Sequence, residues 1–392
     1  MTAPSLRPYQ QQAIDAILDA RRRGTRRMVV CLPTGAGKTV IFAELARRAA
    51  HPVLVLAHRA ELLDQARDKI ERALGPGGGR VAIEQGSRRA PDDARVVVAS
   101  IRSLHEGRIG QALAGRGVRL VIYDECHHAA APDNRRVLDQ IGVFDPAWPG
   151  TLVGFTATTE RGDGQGLDGV FDALVFRRGL PELIREGYLV PLRGYRIDCD
   201  ADLRRLGAGG ADFDPDELAE VIDIESRNAL VARAIQELAR DRRTLVFCVT
   251  VAHARNLART MNAIGVRTGI VHGEMPPDER ERTLAAFRAG RLSALTNVGV
   301  LTEGFDDPEV SAVAMARPTR SSGLYQQCVG RGTRLYPGKS DCLILDFVDL
   351  SDLSLVTLPS LFGMPRDVDL DGDAADEASA RWAEAMDGVG LD

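Results

Sequence analysis

The sequence predicts an α/β protein made of two consecutive units, each a parallel sheet flanked by helices. Two observations predict it. The chain has 392 residues, more than one typical domain needs. Short apolar runs alternate with amphipathic stretches in both halves of the chain. Buried parallel strands are nearly continuous apolar runs and their crossover helices are amphipathic, so this alternation favours parallel sheets.

Five apolar runs in the first half are predicted to be buried strands. They are RMVVCLP, HPVLVLAH, ARVVVAS, VRLVIYDE and TLVGFTA. The stretches between them, such as residues 39–50 and 59–73, are predicted to be helices. The glycine-rich segment GPGGG at residues 75–79 indicates a surface loop.

The second half repeats the pattern with the strands RRTLVFCVT, VRTGIVHG, LSALTNVGV, VSAVAMA and DCLILDFV. Residues 277–289 form a predicted helix with Leu284 and Phe287 on one face. Residues 180–217 are less regular, so we expect the domain boundary near Tyr188. This gives domains at 1–188 and 189–351, followed by an acidic tail at 352–392 that we expect to be mobile.

Composition favours a soluble protein of a reducing cytoplasm. Apolar residues make up 44% of the chain and charged residues 27%. No apolar run is long enough to span a membrane, and the amino terminus resembles neither a signal nor a transit peptide. The six cysteines have no CxxC spacing, so we expect free buried thiols rather than zinc ligands or disulfides.

The charge distribution leaves room for a polyanionic partner. The net charge is −5, but residues 366–392 carry nine acids and two arginines, a net of −7. The rest of the chain is therefore +2. A nearly neutral body can carry a local basic groove, so the overall charge does not exclude nucleic acid.

A phosphate-binding loop is predicted at LPTGAGKT, residues 32–39, which follows a predicted strand and opens a predicted helix. Gly35 and Gly37 would let the backbone curl so that its N–H groups face phosphate oxygens. Lys38 would add positive charge at the β and γ phosphates, and Thr39 a hydroxyl for Mg²⁺. The alternative is a glycine-rich turn with a chance Lys-Thr pair.

An acidic pair ends another predicted strand in DECH, residues 124–127. Asp124 could hold Mg²⁺, and Glu125 could take the proton from an attacking water. An isolated acid pair at a strand end is more often a solvated turn, but the preceding phosphate loop favours the catalytic interpretation. His127 and His128 lack cysteine or histidine partners at metal-ligand spacing.

Further motifs in the same order make the chain resemble superfamily 2 helicases of the DECH type across residues 6–349. They are RPYQ (7–10), LAHRAELLDQ (56–65), ASIRSL (99–104), FTATTER (155–161), LVFCVTVAHARNL (245–257), TNVGVLTEGFDDPEV (296–310) and YQQCVGRGTRL (325–335). The resemblance implies two tandem RecA-like P-loop domains with the ATP site in the cleft between them.

Within this superfamily the chain is similar to RadD-type bacterial DNA-repair ATPases and to XPB-like proteins. LRPYQQQAIDAIL, VLTEGFD and LYQQCVGRGTRLYPGKSDCLILDF carry the similarity. Thr159 stands where such proteins usually have proline, and the cysteine-rich carboxyl-terminal module of RadD-like chains does not occur in this sequence.

The resemblance assigns the nucleotide site. Arg7 and Gln10 would read adenine, Gly304 and Asp306 would lie near the ribose, and Gln327 would touch the γ-phosphate. The loop residues that would hold the phosphates are Pro33, Thr34, Gly35, Ala36, Gly37, Lys38 and Thr39. The residues that would couple hydrolysis to movement are His127, Thr156 and Thr158.

The same resemblance makes Arg331 and Arg334 the arginine fingers, which neutralise charge during phosphoryl transfer. Their spacing places them on one helix face together with Gln327. The alternative is an ordinary exposed basic face.

A nucleic-acid track is predicted along the backbone-binding motifs. Its candidate residues are His58, Arg59, Ser100, Arg102, Thr250, His272 and Thr296. Contacts to sugar and phosphate carry no base code, so we expect little sequence preference. Each of these residues could alternatively be an ordinary loop or cap residue.

These motifs predict an ATP- and Mg²⁺-dependent motor, a helicase or translocase that acts on DNA more readily than on RNA, with protein partners in repair or defence. One alternative is an ATP-gated clamp or remodeller that does not separate strands. Another is the motor subunit of a restriction system, which would need a nuclease domain or partner. The motifs of the second half exclude a small-molecule kinase.

Overall fold

The computed structural model describes residues 6–57, 60–104, 108–109, 113, 116–157, 167–206, 212–302, 304–351 and 354–388. The chain divides into two compact units, Met1–Gly179 and Leu180–Asp392. Each unit has a sheet of parallel strands with helices packed on it, which confirms the predicted fold class.

The sheet of the first unit has the strand order β3-β4-β2-β5-β6-β1-β7, with all neighbours parallel. Its strands are β1 (Arg27–Cys31), β2 (Val53–Ala57), β3 (Arg80–Glu84), β4 (Ala94–Ser100), β5 (Leu120–Asp124), β6 (Thr151–Thr156) and β7 (Ala173–Arg177). Its helices are α1 (Pro8–Arg22), α2 (Lys38–Arg48), α3 (Ala60–Leu74), the short α4 (Ile101–Ser103) and α5 (Pro132–Ile141). Because β6 lies between β5 and β1, the segments that follow these three strands meet at one edge of the sheet.

The sheet of the second unit has the order β10-β11-β9-β12-β13-β8 and is also parallel. Its strands are β8 (Leu192–Asp202), β9 (Arg243–Phe247), β10 (Thr268–Val271), β11 (Ala294–Asn297), β12 (Val310–Met315) and β13 (Cys342–Leu350). Its helices are α6 (Leu180–Arg185), α7 (Pro215–Ile222), α8 (Glu225–Leu238), α9 (Val251–Ala263), α10 (Pro277–Arg288), α11 (Ser322–Val329), α12 (Leu358–Leu361) and α13 (Ala375–Gly388).

The strands that sequence reasoning missed lie at the sheet edges. β3, β7 and β8 are three of the four outer strands, the fourth being the predicted β10, and β8 falls in the stretch that the sequence predicts to be irregular. An outer strand has one neighbour and more contact with solvent, so its residues need not form a continuous apolar run. In β8 buried positions alternate with the exposed side chains of Arg193 and Asp198.

The predicted boundary at Tyr188 lies nine residues beyond the observed one, because α6 buries Leu180 and Leu183 in the second unit and contacts α13. Residues 354–388 of the predicted acidic tail are folded onto the second unit. Leu358 and Leu370 are buried there, and Ala374 pairs with Arg193 of β8. The high acid content of this segment conceals apolar residues that fold back on the sheet.

All six cysteines are buried and unpaired. Burial raises the pKa of Cys199, Cys328 and Cys342 to about 12, so these thiols stay protonated and unreactive at neutral pH. In the described ranges no helix is long and apolar enough to cross a membrane.

Candidate active site

The phosphate loop follows β1 and has the backbone that its glycines predict. Gly35 and Gly37 have φ of 87° and 77°, values at which a side chain is strained. Gly37 is the amino-terminal cap of α2, so Lys38 and Thr39 begin that helix. Backbone N–H groups and the helix dipole favour an anion at this position. The neighbouring Thr34 is buried within the loop.

Helix α1 holds the phosphate loop through two side chains. The Tyr9 hydroxyl donates to the carbonyl of Ala36 at 2.6 Å, and Nε2 of Gln10 donates to the same oxygen at 3.2 Å. Oε1 of Gln10 accepts from the backbone N–H of Arg7 at 3.0 Å. A Cβ on Gly37 would lie 2.7 Å from Nε2 of Gln10. Gln10 therefore supports the loop, and Tyr9 is a loop-holding residue that sequence reasoning missed, although it sits inside RPYQ.

The acidic pair lies at the end of β5 and faces the loop. Oε1 of Glu125 is 3.4 Å from Nζ of Lys38, and these side chains are 8% and 11% exposed. Nζ of Lys38 also donates to the carbonyl of Leu32 at 3.3 Å. The Glu125 backbone is left-handed, with φ 53°, and its N–H donates to Oδ1 of Asp124. Left-handed residues other than glycine are strained and cluster at functional sites.

Glu125 continues into a chain of polar contacts along the sheet edge. Its Oε2 is 3.4 Å from Nδ1 of His127, and that nitrogen is 3.3 Å from Oγ1 of Thr156. Thr156 ends β6, the strand between β5 and β1. The structure thus joins Lys38, Glu125, His127 and Thr156, whereas Thr158 lies outside the described residues.

The oxygen ligands predicted for Mg²⁺ fit that ion chemically. A carboxylate from Asp124 and a hydroxyl from Thr39 are hard donors of the kind that Mg²⁺ prefers. Both side chains are half-buried. Asp124 is the last residue of β5 and Thr39 lies at the start of α2, and these two positions are at the same edge of the sheet.

The predicted shared helix face in the second unit is only partly present. Gln327 lies in α11, which ends at Val329; a 3₁₀ turn follows at Gly330–Gly332 and includes Arg331, and Arg334 lies beyond that turn. A 3₁₀ helix has three residues per turn, whereas an α-helix has 3.6. Because the 3₁₀ turn also ends before Arg334, the spacing of an α-helix does not place Arg331 and Arg334 on one face.

Both arginines contact the loop before β12. Buried Arg331 donates through Nη1 to the carbonyl of Phe305 at 2.9 Å and through Nη2 to that of Thr302 at 2.7 Å. Arg334 forms an ion pair with Asp306, the residue predicted to lie near the ribose. In this loop Gly304 has φ 76°. The two arginines are therefore held by the segment that the resemblance assigns to the nucleotide.

The candidates for the nucleic-acid track differ in what they present. Thr296 is fully buried and its hydroxyl donates to the carbonyl of Ala254 at 3.1 Å, so this side chain does not reach the protein surface. The hydroxyl of Thr250 caps α9 by accepting from the N–H of His253. His58 and Arg59 lie outside the described residues.

The other candidates are Ser100, Arg102 and His272. Ser100 and His272 are buried, and Arg102 is exposed. Of the candidates within the described ranges, Arg102 presents the most accessible cation to a polyanion.

Two family models match this chain. Residues 3–161 match the model described as "Type III restriction enzyme, res subunit". Residues 226–336 match the model described as "Helicase conserved C-terminal domain". Each match falls in one of the two units, and together they include the phosphate loop, the acidic pair and Arg331.

Several curated proteins align with most of this chain. The "Putative ATP-dependent helicase IRC3" of Saccharomyces cerevisiae is 33% identical over 98% of this chain and 58% of its own length. The "Putative mitochondrial ATP-dependent helicase irc3" of Schizosaccharomyces pombe is 35% identical over 93% of this chain and 61% of its own. The "DNA 3'-5' helicase XPB" of Kineococcus radiotolerans is 26% identical over 86% and 58%. The chain spans about three-fifths of the length of these relatives.

Solved structures share the fold. "S. cerevisiae Dbp5 bound to RNA and ADP BeF3" superposes with a TM-score of 0.63 at 19% identity and covers 87% of this chain and 83% of that one. A fragment of a putative HsdR subunit of a type I restriction enzyme from Vibrio vulnificus has a TM-score of 0.66 at 24% identity and covers 88% and 65%. At these identities the likeness supports the architecture alone.

Proposed function

The chain belongs to the superfamily 2 helicases, and we propose that it hydrolyses ATP to move along or remodel nucleic acid, DNA in preference to RNA. The observation that carries the proposal is the contact between Lys38 of the phosphate loop and Glu125 after β5. It brings a phosphate-binding cation and a candidate general base together at the sheet edge where the loop N–H groups can receive an anion.

In this proposal the phosphate loop and Lys38 hold the ATP phosphates, and Tyr9 and Gln10 keep the loop in shape through Ala36. Asp124 and Thr39 would hold Mg²⁺, which supplies positive charge next to the phosphates. Glu125 accepts the proton of the attacking water. Glu125 contacts His127, and His127 contacts Thr156. These two contacts would transmit a change at the nucleotide site along the sheet edge to Thr156.

The second unit would supply the remaining charge. We propose that Arg331 acts as the arginine finger and that Gln327 and Arg334 assist it. Their support is local: Arg331 is fixed by two carbonyls and Arg334 by Asp306. A cation held this firmly loses little conformational entropy when it engages a phosphate.

Three relatives favour DNA and repair or defence as the setting. The XPB relative is named a DNA helicase. "UvrABC system protein B" of Treponema pallidum is 36% identical over 101 residues, and the "Type I restriction enzyme EcoAI endonuclease subunit" of Escherichia coli is 26% identical over 89% of this chain. Protein partners of this chain would belong to the same processes, and its six buried thiols suit a reducing compartment such as the cytoplasm.

The test is the ATPase rate measured with single-stranded, double-stranded and forked DNA and with RNA. We expect DNA to raise the rate more than RNA does. Equal rates with and without every nucleic acid would remove the motor function. A stronger response to RNA would leave the motor and reverse its substrate.

A second candidate is the motor subunit of a restriction system, favoured by the match of residues 3–161 to a restriction-enzyme model. In this second function the chain would translocate on duplex DNA without separating the strands. Displacement of a triplex-forming strand from an unforked duplex, with no unwinding of forked DNA, would favour this candidate over a helicase.

A further inference from the structure

One buried carboxylate joins three elements of the second unit. Asp346 lies in β13, and the Tyr325 hydroxyl, 2.7 and 2.8 Å from its two carboxyl oxygens, donates its one proton to this carboxylate. It also accepts from the backbone N–H of Leu358 at 2.8 Å. Tyr325 belongs to α11, and Leu358 is the first residue of α12. The carboxylate therefore connects the helix that precedes Arg331 with the carboxyl-terminal segment.

A need for stability does not explain this arrangement. Burial raises the pKa of Asp346 to about 6, although the hydrogen bonds from Leu358 and Tyr325 and the charge of Arg196 oppose the rise. Desolvation thus outweighs the partners, and apolar side chains of similar volume often stabilise such a site better than a charged group does. The carboxylate instead fixes the positions of Tyr325 and Leu358, because both must stay within hydrogen-bond distance of it.

The partners on both sides are themselves well fixed. Tyr325 is 1% exposed and lies two residues before Gln327 and six before Arg331. Leu358 lies inside a capping box formed by Thr357 and Ser360, so its N–H direction is set by the helix start. Leu358 and Leu370 both pack over Gly194 of β8, where a Cβ would lie 2.8 Å and 3.0 Å from them.

We propose that Asp346 is a positioning residue that makes the placement of Gln327 and Arg331 depend on the carboxyl-terminal segment, residues 354–388. This rests on the proposed function, in which Arg331 serves ATP hydrolysis. The segment then regulates the rate of ATP hydrolysis. When it is packed on the sheet, α11 is held in place, and when it detaches, Arg331 is displaced.

The principal variant is Tyr325→Phe, which removes one hydroxyl and keeps the ring. We expect kcat at saturating DNA to fall about tenfold, because small displacements of catalytic groups are costly. KM for ATP should stay within about twofold, since the loop contacts of the first unit are untouched. The matched control is Thr244→Val, which also removes one buried hydroxyl, the donor to the carbonyl of Arg242 in the same sheet.

The second variant, Leu370→Ala, loosens the segment without changing α11. Hydrogen exchange in residues 354–388 should accelerate, and kcat should fall in the same direction as in Tyr325→Phe. Faster exchange with unchanged kcat would overturn the regulatory role of the segment. This variant keeps the proposal testable even if Tyr325→Phe does not fold.

Arg331→Ala separates the proposed function from the proposal for the Asp346 junction, which is the set of contacts of Asp346 with Tyr325 and Leu358. If Arg331→Ala loses turnover while Tyr325→Phe and Leu370→Ala keep it, the junction has no role in positioning and the proposed function stands. If Arg331→Ala keeps turnover, the finger assignment fails, and the junction proposal fails with it. An equal loss of kcat in Thr244→Val, at an equal shift in thermal midpoint, would also overturn the proposal, because general destabilisation would then explain the effect.

Discussion

Nζ of Lys38 lies 3.4 Å from Oε1 of Glu125, so the phosphate loop after β1 and the acidic pair after β5 meet in one ion pair. Both side chains are largely withdrawn from water, and salt screens such a pair weakly. Glu125 makes this contact from a left-handed backbone. In the mechanism that we propose, ATP exchanges this ion pair for contacts of Lys38 with phosphate and leaves Glu125 available to a water.

We predict that Lys38→Ala lowers ATP turnover by roughly 10²-fold or more, because the phosphates lose a preorganised cation. The measurement is steady-state phosphate release at saturating DNA. Arg47→Ala is the matched control, since it removes a cation from the exposed side of the same helix, where Arg47 pairs with Glu44. Turnover within about tenfold of wild type in Lys38→Ala would contradict the assignment of the ATP site.

Glu125→Gln should bind ATP and Mg²⁺ but hydrolyse ATP slowly, because the amide keeps the shape of the side chain and removes the base. Binding of a fluorescent ATP analogue and single-turnover hydrolysis, measured on the same preparation, separate the two effects. Glu84→Gln is the control, a buried carboxylate of the same sheet that accepts from Arg89 and from the N–H of Ala90. Loss of nucleotide binding in Glu125→Gln would give Glu125 a structural role and place the general base elsewhere.

The parts of this site that sequence reasoning found are those that local spacing encodes. A strand followed by PTGAGKT requires positive φ at Gly35 and Gly37, and the structure has it. An acidic pair at the end of a central parallel strand lies at the same sheet edge as that loop. The strands of the sheet interiors were found for the same reason, because burial on both faces leaves a continuous apolar run.

The parts that it missed depend on partners distant in sequence. The motif predicts Thr296 on the nucleic-acid track, but its buried hydroxyl donates to the backbone carbonyl of Ala254, which is distant in sequence. The spacing predicts Arg334 on a helix face, but the helical segment ends before this residue. Its side chain instead forms an ion pair with Asp306. The link from Asp346 to Leu358 leaves no local pattern at all.

Gly37→Ala should weaken ATP binding by more than the backbone strain of a positive φ alone would cause. Gly37 has φ 77°, and a Cβ there would lie 2.7 Å from Nε2 of Gln10, which holds the loop. The control is Gly24→Ala, at φ 94° with no atom within 4 Å of the added Cβ. Strain alone costs about 1 kcal/mol or somewhat more at either position. Nucleotide affinity, measured by calorimetry, should fall in Gly37→Ala and not in Gly24→Ala. An equal fall in both would show that loop shape does not depend on the contact with α1.

Arg102→Ala should weaken DNA binding, and the dependence of affinity on salt should become shallower by about one counterion. Thr296→Val should leave both quantities close to wild type, since that side chain is buried. Fluorescence anisotropy with a labelled single strand over a range of salt concentrations measures both. An unchanged salt dependence in Arg102→Ala would remove this residue from the track. A large effect of Thr296→Val, with normal stability, would mean that β11 itself rearranges on binding.

The final prediction concerns the pH dependence of stability, which Asp346 and Asp341 should affect in opposite directions. Burial raises the pKa of Asp346 from 3.8 to about 6. A group whose pKa is raised on folding favours the folded state below its unfolded pKa. That contribution is lost as pH rises through the folded pKa. The whole loss for a change of this size is on the order of 3 kcal/mol, of which about 2 kcal/mol falls between pH 4 and 6.

Asp341 supplies the opposing case. Burial by itself would raise its pKa, but the hydrogen bond and charge of Arg242 outweigh it and lower the pKa below 3.8. Its contribution is therefore present above that value and lost on acidification. As pH rises from 4 to 6, Asp346→Asn should thus remove a decline in unfolding free energy. Below pH 3.8, Asp341→Asn should remove the rise in unfolding free energy that accompanies increasing pH. Denaturant titrations of the two variants and wild type across this range measure the differences, in which all other titrating groups cancel. If Asp346→Asn shows the same slope as wild type, the carboxyl group titrates in water rather than at a buried junction. The fixed geometry inferred for Tyr325 and Leu358 would then have no carboxylate to maintain it.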